Sequence, residues 1–250
     1  MNKRKAYLKV HQGLGDHIVC IGLYKTLAMR FDKCVLPVQK KYFRCVSEML
    51  SDVHNILVTT YEPRSTKMNF ESWYFFLEAQ EKIFNRIGYI SINIGSFDTN
   101  FLTSNTIRFD AEFYRQADVP FENRWKFGKV CRNSKKEEEL FNKLVTNSEP
   151  YIFLHQDKLR GYSLNPKYFP KGMKIVEPLP SLSKKFTATN YLKVIENSSA
   201  IHCIESSFCA LIETFQLEIP KFAHRYARPE AKLSKQLQFT YRSNWQIINF

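Results

Sequence analysis

The stretch Val10-His11-Gln12-Gly13-Leu14-Gly15-Asp16-His17-Ile18 joins an apolar run to a helical pattern through a glycine-rich turn carrying three ionisable side chains. Gly13 and Gly15, spaced by one residue, let backbone come close to a ligand, and a helix starting there offers unpaired N–H groups to an anion. A carboxylate is out of place in a phosphate cradle, so Asp16 admits two roles. It is either a helix N-cap or a base that takes the proton of an attacking hydroxyl, with His11 and His17 beside it. Two nucleotide readings weaken at once. A dinucleotide fingerprint needs a third small residue where Ile18 stands, and no Gly-Lys-Ser/Thr follows the turn to make a P-loop.

A second group of candidates lies in the other half of the chain. Ala200-Ile201-His202-Cys203-Ile204-Glu205-Ser206-Ser207-Phe208 runs from a strand pattern directly into a helix marked by Phe208, Leu211, Ile212 and Phe215. Glu205, Ser206 and Ser207 therefore fall at a strand's carboxyl end, where ligands bind in open α/β sheets, and two hydroxyls there suit a diphosphate. Without a ligand, the same serines read as N-caps. Arg225 and Arg228 follow a later strand in a loop where guanidinium groups can pair with phosphate.

Composition narrows the partners. The net charge of +13 favours an anionic partner: nucleic acid, a membrane surface or a phosphorylated small molecule. The basic runs are short, and the chain has no zinc-finger spacing and no aromatic-basic ribonucleoprotein signature. A basic, non-catalytic nucleic-acid-binding protein is nevertheless the main competing reading, because 15% of the residues are aromatic and could stack on bases. An NAD-type oxidoreductase fits less well, since no acidic residue is suitably placed after the second strand. The six cysteines sit mostly in apolar segments without a Cys-x-x-Cys pair, which excludes a zinc ribbon and points to buried thiols in a reducing, cytoplasmic setting. No run approaches the length of a membrane span, and no signal-peptide core follows the charged N-terminus.

The elements that must position these residues alternate. Strands are expected over 6–10, 34–38 and 55–59, with helices behind the glycine turn and over 42–50, giving βαβαβ order and a parallel sheet. A helix over 73–84, a strand over 89–94 and a short helix ending near Pro120 follow. The composition shift at Arg132-Asn133-Ser134-Lys135-Lys136-Glu137 marks a domain boundary before residue 132. Strands over 151–154, 173–176, 200–204 and 220–224, with helices over 190–196 and 208–215, then repeat the order. The reading is an α/β chain with domains at 1–131 and 132–228, and a helix and tail over 229–250 that could pack back on the first domain.

In combination these patterns resemble the GT-B glycosyltransferases, in which two Rossmann-like domains face each other across a cleft. Gly13-Leu14-Gly15-Asp16-His17-Ile18 is similar to the amino-terminal glycine loop of heptosyltransferase-like enzymes, whose Gly-Asp pair supplies the catalytic base. The resemblance places that role on Asp16, with His17 its neighbour. Phe113-Tyr114-Arg115-Gln116-Ala117, Pro120-Phe121-Glu122 and Arg124-Trp125 look like a segment of small bacterial and viral sugar transferases. Residues 151–160, with His155, Asp157, Lys158 and Arg160, and residues 201–208 look like their donor half. The Asp-x-Asp metal motif of the GT-A class is absent.

The resemblance implies an inverting, metal-independent hexosyl- or pentosyltransferase, without a cofactor, that moves a sugar from a nucleotide-diphosphate donor to a hydroxyl of a glycan acceptor. It assigns the diphosphate to Arg160, Ser206 and Ser207, with Lys158 or Arg225 adding charge, and ribose or sugar hydroxyls to Glu205. Nucleic acid is then an unlikely partner. Such a transfer needs a base, stabilisation of the departing diphosphate and close alignment of the reactants.

Overall fold

The computed structural model describes residues 4–10, 13–62, 70–97, 107–147, 149–228 and 237–249, with side chains 70–75 left aside. The chain divides into two compact units, one of Met1–Thr103 with Phe109–Cys131 and the other of Ser104–Arg108 with Arg132–Phe250.

The first unit is built on four parallel strands, β1 (Lys5–Val10), β2 (Lys33–Gln39), β3 (Ile56–Tyr61) and β4 (Tyr89–Ile94), in the order β3-β2-β1-β4. Ala6, Tyr7, Leu8 and Val10 are buried on both faces of the central strand, as a parallel sheet between helices requires. Lys9 is the exception in that run, and its ammonium is paired with Glu81 at 2.7 Å from the helix Phe70–Arg86. Tyr7 stacks on Phe84 of the same helix at 5.0 Å.

Behind the glycine turn the chain makes two helices rather than the single one expected: α1 (Leu14–Val19) and α2 (Ile21–Arg30). Cys20, at φ −83° and ψ 1°, departs from helical geometry and separates the two. The buried Tyr114 splices the break, because its hydroxyl donates to the Val19 carbonyl at 2.8 Å and accepts from the Leu23 N–H at 3.1 Å. Both are backbone groups that helix ends leave without an intrahelical partner. The short helix Asn123–Lys126 presses on α2 so closely that a Cβ at Gly22 would lie 2.0 Å from the Asn123 carbonyl oxygen. Glycine at position 22 is thus a packing requirement. Arg124 and Asp110, both buried, form an ion pair that anchors this helix to Phe109–Gln116.

The second unit carries five parallel strands, β5 (Tyr151–His155), β6 (Lys174–Val176), β7 (Ala200–Cys203), β8 (Lys221–His224) and β9 (Trp245–Ile248), in the order β6-β5-β7-β8-β9. Its core joins Phe153, Ile201 and Cys203 of the strands to Leu140, Val194, Ile195, Phe208 and Ile212 of the helices. The amphipathic helix Ser134–Leu144 starts where the composition shifts, capped by the Asn133 side chain, which accepts from the Lys136 N–H. The helix expected over 190–196 begins as a 3-10 turn, Ala188–Tyr191, and becomes α-helical at Leu192–Glu196.

Strand β9 corrects the reading of the C-terminus as a helix and tail that packs back on the first domain. Trp245–Ile248 instead pairs in parallel with β8 of the second sheet. The buried Glu213 holds it there, accepting from the N–H groups of Arg242 and Ser243, the Ser243 hydroxyl and the Trp245 indole N–H. The helix expected over 229–239 falls mostly on residues outside those described.

Candidate active site

In an open parallel sheet, ligands bind beyond the carboxyl ends of the strands, at the point where successive connections leave in opposite directions. In the first sheet that point lies between β1 and β4, whose last residues, Val10 and Ile94, are paired. The glycine turn leaves β1 here, and Gly95 and Ser96 leave β4 beside it. Gln116 closes the β4 end by accepting from the Gly95 N–H and donating to the Ser96 carbonyl.

Gly13 is the N-cap of α1, with an extended backbone at φ −80°. Asp16 is three residues on, half-buried, and its Oδ2 accepts the Gly13 N–H at 3.0 Å. Asp16 is therefore the N3 member of a capping box rather than the N-cap itself. This corrects the physical reason for the glycine. Gly13 does not adopt a left-handed backbone; a Cβ there would stand 2.5 Å from Asp16 Oδ2. The glycine leaves room for the carboxylate to fold back over the turn, and the first helical turn stabilises its negative charge.

His17 is fully buried, and its Nδ1 is 2.9 Å from the Tyr24 hydroxyl seven residues further along the chain. A catalytic role for His17 is thereby withdrawn: a side chain with no exposed surface cannot meet a substrate. His11 lies outside the described residues.

In the second sheet the corresponding point lies between β5 and β7. His155, the last residue of β5, is paired with Cys203, and the Ile204 N–H donates to the His155 carbonyl. Glu205, Ser206 and Ser207 therefore emerge beside His155. Ser206 is buried and caps the helix Ser207–Glu213; its Oγ accepts from the Phe208 N–H at 3.3 Å and lies 2.9 Å from His155 Nδ1. The half-buried His155 packs on Phe208 with ring centroids 4.4 Å apart. Burial lowers its pKa to about 4, opposed by Asp157 and Glu177 and reinforced by Arg160.

Glu205 and Arg225 are not free for a ligand as the sequence suggested. Glu205 is buried, and its carboxylate takes hydrogen bonds from Arg225 Nε and Nη2 and from the Tyr241 hydroxyl. The Arg225 side chain is 11% exposed and that of Glu205 2%, so separating them would leave a buried charge uncompensated, at several kcal/mol. The two act as an internal brace under the strand end, joined by Arg228, which donates to the Glu205 carbonyl.

Lys158 and Arg160 stand in a turn that Asp157 caps by accepting the Arg160 N–H. Burial works against ionisation of Asp157, but hydrogen bonds from Arg160 hold its pKa low. Arg160 pairs with Asp157 at 2.6 Å and Lys158 with Glu177 at 3.0 Å, the cations being 56% and 62% exposed. Exposed pairs of this kind are worth about 0–1 kcal/mol, so an anionic ligand can displace either carboxylate at little cost. Asp157 thus serves as turn cap and counter-ion, while Lys158, Arg160, Ser207 and the outer edge of His155 remain open to a ligand.

Sequence reasoning missed Glu177, Tyr241 and the helix-splicing role of Tyr114. Nothing in their local spacing marks them, since each is defined by a partner far away in the chain. Among the described residues, no group of three or more His, Cys, Asp or Glu is placed to hold a metal ion, and no helix is long and apolar enough to cross a membrane. All six cysteines are free thiols, five of them buried.

No protein-family model matches the chain, and no curated protein matches it by sequence. Solved structures do match. A glycosyl transferase family 9 protein from Veillonella parvula DSM 2008 aligns with 100% of this chain and 86% of its own, at a TM-score of 0.60 and 11% identity. The E. coli ADP-heptose LPS heptosyltransferase II aligns with 99% of this chain and 90% of its own, at a TM-score of 0.54 and 10% identity. The chain shares the fold of these glycosyltransferases. The α/β, GT-B-like fold expected from the sequence is therefore present, at an identity too low for sequence alignment to detect.

Proposed function

We propose that the protein is an inverting glycosyltransferase that moves a sugar from a nucleotide-diphosphate sugar to a hydroxyl of a glycan acceptor. The observation that carries this reading is the placement of Asp16. A carboxylate, oriented by the Gly13 N–H, stands at the carboxyl edge of β1 where the connections diverge, in a fold shared along its whole length with solved glycosyltransferases.

In the proposed step the acceptor oxygen attacks the anomeric carbon as the bond from that carbon to the diphosphate oxygen breaks. The acceptor proton passes to the Asp16 carboxylate, and the electron pair of the broken bond leaves on the diphosphate. A single displacement of this kind inverts the anomeric centre. Asp16 accepts the proton late, when the attacking hydroxyl has become acidic, and a positioned base of this kind supplies roughly 10² to 10⁴ in rate. Lys158 and Arg160 exchange their exposed carboxylate partners for phosphate oxygens, and the Ser207 hydroxyl adds a neutral donor. The reading includes no divalent metal and places the protein in the cytoplasm.

The test is transfer by the purified protein with UDP-, GDP-, ADP- and CMP-sugars, in the presence and absence of a chelator. Asp16→Asn is expected to lower kcat by roughly 10² to 10⁴ while the donor dissociation constant changes by less than about threefold. Gly13→Ala is expected to lower kcat by displacing the carboxylate that Asp16→Asn neutralises. Transfer by Asp16→Asn at the wild-type rate would remove the base assignment, and loss of activity in chelator would remove the metal-independent mechanism.

A further inference from the structure

The contact between Ser206 and His155 fixes where protons sit. Ser206 Oγ has two hydrogen-bond neighbours among the described residues, the Phe208 backbone nitrogen at 3.3 Å and His155 Nδ1 at 2.9 Å. The backbone nitrogen is a donor, so the serine oxygen accepts from it. The serine's own proton then has one acceptor within reach, His155 Nδ1. If Nδ1 carried a proton instead, the hydroxyl proton of a buried serine would be left without a partner among the described residues, which is unfavourable. This pairing favours the tautomer with its proton on Nε2. No described group hydrogen-bonds Nε2, and it is not among the buried atoms left without a partner.

We propose that Ser206 is a positioning residue that locks His155 as a neutral imidazole with Nε2–H directed outward, and that this N–H donates to a diphosphate oxygen of the sugar nucleotide. The ligand half of this proposal rests on the glycosyltransferase reading. The location supports it: His155 ends β5 at the divergence point of the second sheet, and Lys158 and Arg160 follow three and five residues later. The charge balance supports it as well. Asp157 and Glu177 neutralise Arg160 and Lys158 in the free protein, so a further cation at His155 is not needed to hold a carboxylate. A neutral donor adds directionality without repelling the cations that move onto phosphate. Burial keeps the ring uncharged at neutral pH, with a pKa of about 4. Ser206 thereby moves from the diphosphate-binding role that the sequence suggested to a role one step behind the ligand.

The experiment is long-range ¹H–¹⁵N NMR on the full ¹⁵N-labelled chain, with His155→Gln identifying the resonances. Without ligand, Nδ1 is expected at the shift of an unprotonated ring nitrogen and Nε2 at that of a protonated one. Ser206→Ala should lose this pattern and Ser206→Thr, which keeps the hydroxyl, should restore it. A protonated Nδ1 in the wild type overturns the lock, whatever the protein's activity. UDP, GDP and ADP are then titrated in turn. At least one is expected to move the Nε2 resonance, and His155→Phe should weaken its binding by roughly 3- to 10-fold, the worth of one neutral hydrogen bond. A nucleotide that binds without moving Nε2, and equally well to His155→Phe, overturns the contact while leaving the glycosyltransferase reading intact. Failure of all three to bind the wild type overturns the donor site as a whole, and with it the ligand half of the proposal, leaving the lock to be judged by the ligand-free spectrum.

Discussion

Acid should loosen the second unit through a pair of histidines remote in sequence but joined in the sheet. His202 on β7 and His224 on β8 are both fully buried, with Nδ1 of the first 2.9 Å from Nε2 of the second. His202 stacks flat on Phe222 at 4.4 Å, and Phe169 and Tyr168 close the pocket edge-on. Nδ1 of His224 is buried and has no hydrogen-bond partner among the described residues. Among the described residues, no carboxylate acts on either ring to stabilise an added proton. Burial lowers both values from 6.5 to about 4, and for His224 the neighbouring His202 adds to the effect. The unfolded chain takes up these protons near pH 6.5 and the folded chain does not, so the stabilisation is complete above that value and is lost as the pH falls toward 4.

For shifts of this size each imidazole removes about 2 kcal/mol of stability at about pH 5 relative to about pH 8, and solvent screening reduces the pair to roughly 2–4 kcal/mol. Urea unfolding followed by circular dichroism, at both pH values, measures this directly. The double variant His202→Leu/His224→Leu controls for every other titrating group, including His155, which shifts in the same direction. Its stability at neutral pH will be altered by repacking, but its loss on acidification should be smaller than the wild type's by that 2–4 kcal/mol. Wild-type and variant losses that agree to within about 0.5 kcal/mol would refute the reasoning.

Two further predictions concern the frame around the candidate site. Tyr114→Phe keeps the ring and removes the hydroxyl that bridges the Val19 carbonyl and the Leu23 N–H. Leaving two buried backbone groups unsatisfied should cost about 2–4 kcal/mol in urea unfolding, and a loss below about 0.5 kcal/mol would show that the helix break needs no splice. Glu213→Ala removes the acceptor that gathers Arg242, Ser243 and Trp245. Amide exchange at Trp245–Ile248 should then accelerate at least about tenfold relative to β5, whereas uniform acceleration of both would mean that β9 does not open separately.

Much of the architecture was legible because parallel strands bury both faces and helices bury one, so apolar runs and 3.6-residue periodicity record them directly. Strands β1 to β8 fall within a residue or two of the positions expected from those patterns. Asp16, and the group from Glu205 to Ser207, stood out because a polar residue at a strand's carboxyl end interrupts an apolar pattern. The shared fold follows from the same periodicities, which persist where residue identities do not. Strand β9 escaped because its partly exposed residues make a weak pattern, and its register depends on Glu213, about thirty positions earlier.

The sequence alone thus determined which residue types stand at the strand ends, including the glycine turn and its carboxylate. Only the tertiary structure decided what each is doing. It turned His17 inward to Tyr24, tied Glu205 to Arg225 and Tyr241, and set the Ser206 hydroxyl against His155 Nδ1. The physical reason is that a side chain's role follows from its hydrogen-bond and charge partners. For these residues most of the partners come from other strands and helices, at separations that no local pattern encodes.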